Sequence, residues 1–389
     1  MNLVIVSDDF PEKGHQSYVF VEQLVITLSD LGVNVKVIAP QSLTKSILRG
    51  RERYPKRKTF QTKKGSTYEV YRPYYLSAGS RGLIGKIYFH NLRRAVEGVI
   101  KKIGISNVDV LYGHFWHNAN TLVKVAQKYH KPLFVACGEG DNAINELLAA
   151  ISANAKEQLI KAVTGVISVS SENKKRVLDY GLARPEDIDV FPNAVDKTVF
   201  YQKDRLSIRQ KLGISSSDFV VCFVGGFIER KGSNRLSDAI TQLNDPDIKS
   251  IFIGKPWSYD DCTPTCPGIL VKESLPHEVL PDYLNAADVF VLPTLNEGCC
   301  NAIVEAVCCG LPVISSDRPF NDDILDGTNS IRIDPTSVEE IKNAIVKLKN
   351  DQSLRDKLSR GAMEKGESLS IESRADKILA FINKQIAKG

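Results

Sequence analysis

Short apolar runs alternate with amphipathic segments along the chain. The runs are rich in β-branched residues, which is typical of parallel strands buried on both faces of a sheet. We predict strands at Leu3–Val6, Val35–Ile38, Val108–Tyr112, Leu133–Ala136, Gly165–Val169, Phe219–Val224, Ser250–Ile253, Ile269–Lys272, Val289–Leu292 and Pro312–Ser315. The intervening segments have helical periodicity, as in Val19–Leu31, Asn120–Tyr129 and Arg205–Leu212.

The series of strand, helix and strand runs through the chain twice, and this predicts two α/β domains with doubly wound parallel sheets. A turn-rich segment, Pro192-Asn193-Ala194-Val195-Asp196, follows the first series. We predict a Rossmann-like domain over residues 1–196, a second over 197–370, and a C-terminal helix over 371–389 that could pack back on the first domain. The length of 389 residues suits two such domains.

The composition is that of a soluble globular protein, with 43% hydrophobic and 25% charged residues. No run reaches the ~20 apolar residues that would span a bilayer, and the first apolar run is too short for a signal peptide. The eight cysteines include two adjacent pairs and one loop pair, Cys262 and Cys266, without a second half of a zinc site. We therefore predict a cytoplasmic protein without a metal site.

The net charge of +5 is unevenly distributed, with an excess of nine basic residues up to residue 198 and of four acidic residues after it. Nine basic residues lie between Lys45 and Lys64, opposed only by Glu52. Two interpretations stay open: a patch for an anionic membrane surface, where each basic group is worth ~1 kcal/mol, or a solvated loop. Nucleic acid is not expected, because the segment lacks interleaved aromatic residues and any recognisable binding module.

Ligands of open α/β sheets bind at the carboxyl ends of the strands, so the strand-to-helix junctions are where a site is expected. The first junction, between strand one and helix one, contains Gly14, which would let backbone amides approach a phosphate. It matches neither a dinucleotide fingerprint nor a Walker P-loop, and alone it is a weak signal.

The second junction carries two glycines, Gly225 and Gly226, followed by Arg230, Lys231 and Gly232. Glycines open the backbone, and two cations near a helix start suit a diphosphate: arginine by bidentate contact, lysine as a point charge. The alternative is a basic turn facing solvent.

The third junction runs from Glu297 to Ala306 and is followed by Gly310-Leu311-Pro312-Val313. Glu297 and Glu305 lie eight positions apart, a little over two helical turns, so both are expected to face one ligand. We predict that Glu297 binds sugar hydroxyls and that Glu305 binds a ribose diol. An ordinary solvent-facing helix is the alternative, although the small apolar residues between the two acids argue against it.

These segments resemble the family 4 retaining glycosyltransferases of the GT-B fold, the glycosyl transferases group 1, over nearly the whole chain. The hallmark of that family, two glutamates separated by seven residues, is matched by Glu297 and Glu305. The Lys-Gly of its glycine turn is matched by Lys231-Gly232, and its interdomain Pro-Asn-Gly-Val-Asp by residues 192–196. The resemblance implies two Rossmann-like domains facing across a cleft that holds the active site.

The resemblance also implies roles for individual residues. Catalysis would rest on Arg230, Lys231 and Glu297. His114 is added as a catalytic candidate because it and His117 end a predicted strand and could line the acceptor side; His117 is the weaker candidate, and packing is the alternative for both. The donor would be bound by Gly14, Gly226, Gly298, Cys299, Cys300, Asn301 and Glu305.

Two positions depart from the family pattern. The arginine of the family's Gly-Arg-Leu turn is Gly226 here, and Arg230 is expected to supply the missing cation. The family's histidine before a glycine is replaced by Cys137, within Cys137-Gly138-Glu139.

The expected reaction is transfer of a sugar from a UDP- or GDP-sugar with retention, without a cofactor or metal. The acceptor would be a glycan or a lipid-linked sugar of an envelope polysaccharide, and the enzyme could lie at the inner face of the cell membrane. The alternatives are a nucleotide-sugar epimerase or phosphorylase of the same fold, or a non-catalytic protein that binds sugar nucleotides.

Overall fold

A computed structural model describes residues 1–12, 18–50, 52–77 and 82–388, and within it the chain forms two compact units. Unit 1 comprises Met1–Phe191 and Ala375–Gly389, and unit 2 comprises Pro192–Arg374.

The described part of unit 1 contains a mostly parallel sheet with helices on both faces. The strands of this unit are β1 (Asn2–Val6), β2 (Asn34–Ile38), β3 (Gln41–Ser42), β4 (Arg57–Gln61), β5 (Thr67–Tyr71), β6 (Tyr74–Tyr75), β7 (Val110–His114), β8 (Leu133–Cys137), β9 (Val163–Ser168) and β10 (Ile188–Val190). Strands β3 and β6 pair with each other in a separate two-stranded sheet. Its helices are α1 (Val19–Asp30), α2 (Leu43–Arg49), α3 (Gly82–Ile103), α4 (Trp116–Tyr129), α5 (Asp141–Ala150), α6 (Ala153–Ala162) and α7 (Ser171–Asp179).

The sheet of unit 1 has eight strands in the order β10-β9-β8-β7-β1-β2-β5-β4. Alternate residues of β1 face opposite sides: Leu3 and Ile5 join one apolar cluster, Val4 and Val6 the other. This two-sided burial is why the strands read as continuous apolar runs. Only β4 runs antiparallel to its neighbour among the described strands of this sheet.

In the described part of unit 2 the helices are α8 (Arg205–Leu212), α9 (Ser233–Leu243), α10 (Leu280–Ala286), α11 (Asn301–Cys308), α12 (Val338–Asn350) and α13 (Gln352–Glu367), and α14 (Ile371–Ile386) continues into unit 1. The strands are β11 (Phe219–Val224), β12 (Ile248–Ile253), β13 (Ile269–Glu273), β14 (Val289–Leu292), β15 (Val313–Ser316) and β16 (Ser330–Ile333). They form one parallel sheet in the order β13-β12-β11-β14-β15-β16.

The predicted α/β class with parallel sheets is confirmed, whereas several element boundaries were wrong. The strand expected at Val108–Tyr112 lies two residues later, and the helix expected from Asn120 begins at Trp116. The long helix α3 and the antiparallel strand β4 were not foreseen. Strand β4 is an edge strand with alternating exposure, so it lacks the continuous apolar run of the buried strands.

The C-terminal helix contributes to the core of unit 1. Ala375, Ile378, Phe381 and Ile382 belong to the same apolar cluster as Phe134. The rings of Phe381 and Phe134 meet edge to face with centroids 6.2 Å apart. Burial of these aromatic side chains stabilises the packing of the C-terminal helix α14 against the sheet of unit 1.

Candidate active site

The strand order of unit 2 contains a switch point between β11 and β14. From β11 the chain moves outward through β12 and β13, whereas β14 starts a second series that moves the opposite way through β15 and β16. Loops at the carboxyl ends of the two central strands therefore diverge, and this leaves a crevice, the usual ligand position in such sheets. The loop after β11 carries Arg230 and Lys231, and the loop after β14 carries Glu297.

One carboxylate accepts hydrogen bonds from both cations. Glu297 Oε1 lies 2.9 Å from Arg230 Nη1 and 2.6 Å from Lys231 Nζ. The hydroxyl of Thr294 donates to the same oxygen at 2.8 Å. The Glu297 and Lys231 side chains are 10% and 15% exposed, while that of Arg230 is 40% exposed. We call Arg230, Lys231 and Glu297 the cation cluster.

The cation cluster keeps its charges at neutral pH. Burial alone would raise the pKa of Glu297, but Lys231 and Arg230 outweigh it and lower that pKa below its ordinary value. Burial also works against the ammonium of Lys231, and Cys300 and Glu297 outweigh it and raise the pKa of the lysine. Two positive charges thus share one negative charge, so the cluster has an excess positive charge that can attract an anion.

Backbone hydrogen bonds hold the two loops together. The amide of Leu295 donates to the carbonyl of Arg230 at 2.8 Å, and the Arg230 guanidinium donates to the carbonyl of Asn296 at 2.7 Å. The cluster is therefore positioned by main-chain contacts as well as by its own charges, which lowers the reorganisation needed when a ligand binds.

The structure explains why the residue after Lys231 is a glycine, Gly232. It has a φ of 77°, and a Cβ atom there would lie 2.5 Å from the carbonyl oxygen of Pro293. Only a residue without a side chain permits both the left-handed backbone and this close approach of the two loops.

The two predicted acids are not two turns apart on one helix, which corrects the spacing argument. Helix α11 begins at Asn301, so Glu297 lies in the preceding loop and only Glu305 is helical. Glu305 is buried, and its Oε1 lies 2.9 Å from Nε2 of His277. Burial opposes the charge on His277, but the bond to Glu305 outweighs it and raises the pKa of the imidazole. Sequence reasoning missed His277, because nothing in its local pattern distinguishes it.

The remaining donor-binding candidates of unit 2 surround the start of α11. The carbonyl of Cys299 and the side chain of Asn301 both accept from the amide of Asn193, at 3.0 and 2.7 Å. Cys300 is buried at the N-cap position, and its Sγ lies 3.8 Å from Lys231 Nζ. Gly298 lies in the loop between Glu297 and this cap. The positive end of the helix thus begins beside the cation cluster.

Unit 1 has a separate cavity of about 840 Å³. Tyrosines and charged groups dominate its lining: Asp8, Asp9, Tyr18, Lys45, Glu52, Tyr54, Arg72, Tyr75, Tyr88, His117 and Glu146. Asp8 is paired with His117 and accepts a hydrogen bond from the hydroxyl of Tyr18 at 3.1 Å. Hydroxyls and carboxylates at this density suit a polyhydroxylated ligand.

The Asp8–His117 pair shifts both pKa values. Burial acts to raise the pKa of Asp8, but His117 outweighs it and the value falls below the ordinary one. Burial likewise acts to lower the pKa of His117, and Asp8 outweighs it and raises the value. Each partner thus favours the charged form of the other, since His117 lowers the pKa of Asp8 and Asp8 raises that of His117.

The structure places the two candidate histidines in different surroundings. His114 is buried and its ring packs against those of Phe115 and Phe20, with centroids 4.5 and 5.3 Å away. His117, the second residue of the following helix α4, lines the cavity instead. The role predicted for His114 stays a prediction, and Gly14 lies outside the described residues.

A buried glutamate stands where the family histidine is missing. Glu139 accepts hydrogen bonds from the amide of Trp116 at 2.6 Å and from that of Gly138 at 3.1 Å. Burial raises its pKa although these donors oppose the shift. Glu139 thus fixes the start of the helix that carries His117, a function that sequence reasoning did not anticipate.

The basic segment at Lys45–Lys64 is partly neutralised. Arg57 pairs with Glu69, Lys58 pairs with Glu12, and Lys45 lines the cavity. Arg53, Lys56, Lys63 and Lys64 are exposed, and Arg51 lies outside the described residues. The segment therefore presents fewer unpaired basic side chains to solvent than its nine basic residues suggested.

In the described part of the chain no helix is long and apolar enough to cross a membrane. The same residues contain no group of three histidine, cysteine or acidic side chains that could hold a metal ion. The cysteines are free thiols, and Cys266 is buried beside Ser250.

Solved structures of similar fold cover the whole chain. Sucrose-phosphate synthase from Thermosynechococcus elongatus has a TM-score of 0.76 at 15% identity, with complete coverage of both chains. The Anabaena protein HepE in complex with UDP-glucose has a TM-score of 0.71 at 16% identity, again with complete coverage. Two α/β units, each built on a largely parallel sheet, are the fold of the GT-B class of glycosyltransferases.

Matches to sequence families identify the family of this chain within the GT-B class. Residues 18–199 match Glycosyltransferase Family 4, and residues 204–365 match Glycosyl transferases group 1. The chain belongs to the group 1, family 4 glycosyltransferases, as its motifs predicted. It is 25% identical over 347 residues to a protein of Bacillus subtilis strain 168 named as the teichuronic acid biosynthesis glycosyltransferase TuaC, covering 86% of this chain and 85% of that one. It is 24% identical over 310 residues to the D-inositol 3-phosphate glycosyltransferase of Stackebrandtia nassauensis, covering 70% and 67%.

Proposed function

We propose that this glycosyltransferase moves a sugar from a UDP- or GDP-sugar to a glycan or lipid-linked acceptor, with retention at the anomeric carbon, in the assembly of an envelope polysaccharide. The observation that carries the proposal is the cation cluster, in which Arg230 and Lys231 share Glu297 at the switch point of unit 2. Its excess positive charge suits a diphosphate. The UDP-glucose complex of HepE and the name of TuaC support the donor and the pathway class.

The leaving group determines what the protein must supply. As the bond between the anomeric carbon and the β-phosphate oxygen breaks, negative charge develops on the diphosphate. Arg230, Lys231 and the start of α11 stabilise this charge, which is electrostatic preorganisation. No bound metal is needed in this scheme, because two cations serve the diphosphate.

The acceptor hydroxyl attacks from the face that the leaving group departs from. The new bond joins the acceptor oxygen to the anomeric carbon, and the acceptor proton passes to the leaving phosphate oxygen. No protein nucleophile is consumed in this route, so retention follows from geometry. Glu297 holds the cations, and Glu305, orientated by His277, binds a hydroxyl pair of the donor.

The acceptor would bind in the cavity of unit 1. Its lining supplies carboxylates, tyrosine hydroxyls and the Asp8–His117 pair, which can hydrogen-bond several sugar hydroxyls at once. The cavity volume of about 840 Å³ accommodates a sugar with part of its carrier.

The donor can be identified by a thermal-shift screen of UDP- and GDP-sugars with the full chain. A ligand that binds only the native state at 100 times its Kd adds ~2.7 kcal/mol of stability, a readily measured rise in Tm. A rise with one base and none with the other identifies the donor. No rise with any sugar nucleotide would remove the proposal.

The reaction class is separated by three assays with the donor so identified. Transfer to a lipid-linked sugar, with the anomeric configuration of the product read by NMR, supports a retaining transferase. An inverted product refutes retention. Turnover of donor alone into an isomer would indicate an epimerase, turnover with phosphate a phosphorylase, and binding without turnover a non-catalytic protein.

The membrane part of the proposal rests on exposed basic residues such as Lys63 and Lys64. Flotation with anionic vesicles is expected to recover the wild type and to lose much of the Lys63→Ser/Lys64→Ser variant, since each basic group adds ~1 kcal/mol. Failure of the wild type to float would favour a soluble acceptor.

A further inference from the structure

The segment between β12 and β13 contains a short hairpin at Trp257–Asp260. The amide of Trp257 donates to the carbonyl of Asp260, and the amide of Asp260 donates back to Trp257, both at 3.1 Å. We call this segment the Trp257 hairpin. Its two bonds close a tight turn, so the indole projects from a defined backbone.

The Trp257 hairpin is fastened to the glycine turn that leads to Arg230. The amide of Phe227 donates to the carbonyl of Lys255 at 3.0 Å, and the amide of Cys262 donates to the carbonyl of Phe227 at 2.9 Å. The carboxylate of Asp260 accepts from the amide of Glu229 at 3.0 Å. The Trp257 hairpin and the glycine turn are therefore joined by three hydrogen bonds and form one structural unit.

The hairpin exposes two large aromatic side chains. Trp257 is 43% exposed and Tyr259 is 78% exposed, with ring centroids 5.6 Å apart. The indole N–H of Trp257 meets no acceptor among the residues that the structure describes. A tryptophan held rigidly with its ring exposed and its donor free is equipped to meet a ligand.

Gly226 determines where the indole lies. A Cβ atom on Gly226 would be 3.2 Å from Nε1 of Trp257 and 3.6 Å from Cε2. The indole thus occupies the space that a side chain at position 226 would enter. The turn of this family has an arginine at that position, so here the tryptophan from a different loop fills the direction in which the arginine would extend.

We propose that Trp257 is a donor-binding residue that replaces this arginine. Its indole N–H donates a hydrogen bond to a diphosphate oxygen of the sugar nucleotide, and this inference rests on the proposed function of the cation cluster. A neutral donor takes the place of a cation, so Trp257 adds no positive charge to that of Arg230 and Lys231. The exchange keeps a hydrogen bond at this point without adding a third positive charge.

Tryptophan fluorescence offers a direct test, because the chain has only two tryptophans and Trp116 is buried in unit 1. The wild type is titrated with UDP and with GDP while emission and calorimetric heat are followed. We expect the better nucleotide to change the emission. In Trp257→Phe, which keeps an aromatic ring but has no N–H, the emission change should vanish and the Kd should rise roughly tenfold, as for one hydrogen bond to a charged group.

A residue swap tests the substitution itself. Gly226→Arg alone should weaken nucleotide binding, because the arginine meets the indole. Gly226→Arg with Trp257→Gly should recover most of the affinity and make it more sensitive to salt, since a cation then contacts the diphosphate. A double variant that binds no better than Gly226→Arg would overturn the inference.

The calorimetric titrations separate this inference from the proposed function. Nucleotide binding that needs Lys231 but is unchanged in Trp257→Phe refutes the role of Trp257 and leaves the proposed function standing. Absence of any nucleotide binding by the folded wild type refutes both. Circular dichroism and Tm of each variant confirm that the fold is retained.

Discussion

The two units use the same scaffold for opposite chemistries. Unit 1 places an acid–imidazole pair and tyrosines at a large cavity, whereas unit 2 places two cations around one buried acid at a switch point. The large sheet of unit 1 is parallel except for β4, and that of unit 2 is parallel throughout its described strands. The scaffold therefore supplies the positions, and the loops after the strands supply the chemistry.

The local charge of each site is the reverse of the charge of its half of the sequence. Residues up to 198 carry an excess of nine basic groups, yet in the lining of the cavity there the acids Asp8, Asp9, Glu52 and Glu146 outnumber the basic residues Lys45, Arg72 and His117. The remainder of the chain is acidic by four, yet its switch point has excess positive charge. Net charge is a property of the whole surface, and three or four loop residues are too few to set it.

Removal of a cation from unit 2 is expected to have the largest effect. Lys231→Ala and Arg230→Ala should each lower kcat by about 100-fold, on the order of 3 kcal/mol, because each removes a donor aimed at the leaving diphosphate. Steady-state transfer assays measure this, and Lys347→Ala, an exposed lysine of the same unit, is the matched control. Wild-type turnover in a folded Lys231→Ala variant would contradict the assignment.

The backbone that supports the cations gives the next effect. Gly232→Ala should destabilise unit 2 by about 2 kcal/mol, since the added methyl meets the carbonyl of Pro293 and the φ of 77° is strained. Gly213→Ala is the control, because it has a similar φ of 69° with no atom within 4 Å. Denaturant unfolding should show that Gly213→Ala lowers the free energy of unfolding by only about 1 kcal/mol. Equal losses at both positions would show that the close approach contributes nothing.

The corresponding substitution in unit 1 should affect the acceptor and spare the donor. Asp8→Asn is expected to lower kcat/KM for the acceptor roughly tenfold, because it removes a charged hydrogen bond to His117, and to leave nucleotide affinity unchanged. Asp179→Asn, an exposed acid on α7, serves as the control. A loss of nucleotide affinity in Asp8→Asn would break the division of roles between the units.

The smallest expected effect is a pH dependence of stability that belongs to unit 1. The folded pKa of His117 is raised, so its stabilisation is complete below the ordinary imidazole value of 6.5 and is lost as the pH rises through the raised value. The folded pKa of Asp8 is lowered, so the stabilisation that this carboxylate provides is present above pH 3.8, its ordinary pKa. This stabilisation is lost as the pH falls through the lowered pKa. The pair should contribute roughly 1 kcal/mol between these limits.

Chemical unfolding of the wild type and of Asp8→Asn at several pH values checks this window. The difference between them should be largest between the two ordinary pKa values and should shrink above the raised pKa of His117. NMR of the His117 imidazole should show its pKa fall in Asp8→Asn. An unchanged imidazole pKa would mean that the carboxylate does not hold the proton.

Much of the fold could be predicted from the pattern of apolar residues. Strands buried on both faces, such as Phe219–Val224 and Val289–Leu292, were predicted with the correct ends, because a continuous apolar run has few other uses in a soluble domain. The edge strand β4 and the amphipathic helix α3 were missed. Their patterns are weaker, since each has only one face against the core.

For the candidate site, local sequence identified the loops but not every partner. Arg230, Lys231 and Glu297 were named from their positions after strands, and the structure brings the carboxylate of Glu297 within 3 Å of each cation. His277, Asp8 and Trp257 were not named, because each acts through a partner far away in the chain. Conversely, His114 was favoured over His117, although His114 ends strand β7 with its ring in the core and His117, at the start of α4, lines the cavity.

By itself the sequence determined the α/β class, the family and the junctions that hold the charged residues, because hydrophobic periodicity and short motifs are local properties. Tertiary structure alone decided which groups meet: Glu297 with two cations, Glu305 with His277, Asp8 with His117, and the indole of Trp257 beside Gly226. Contacts of this kind depend on strand order and loop path. They join residues 28 to 109 positions apart, beyond the reach of any local pattern.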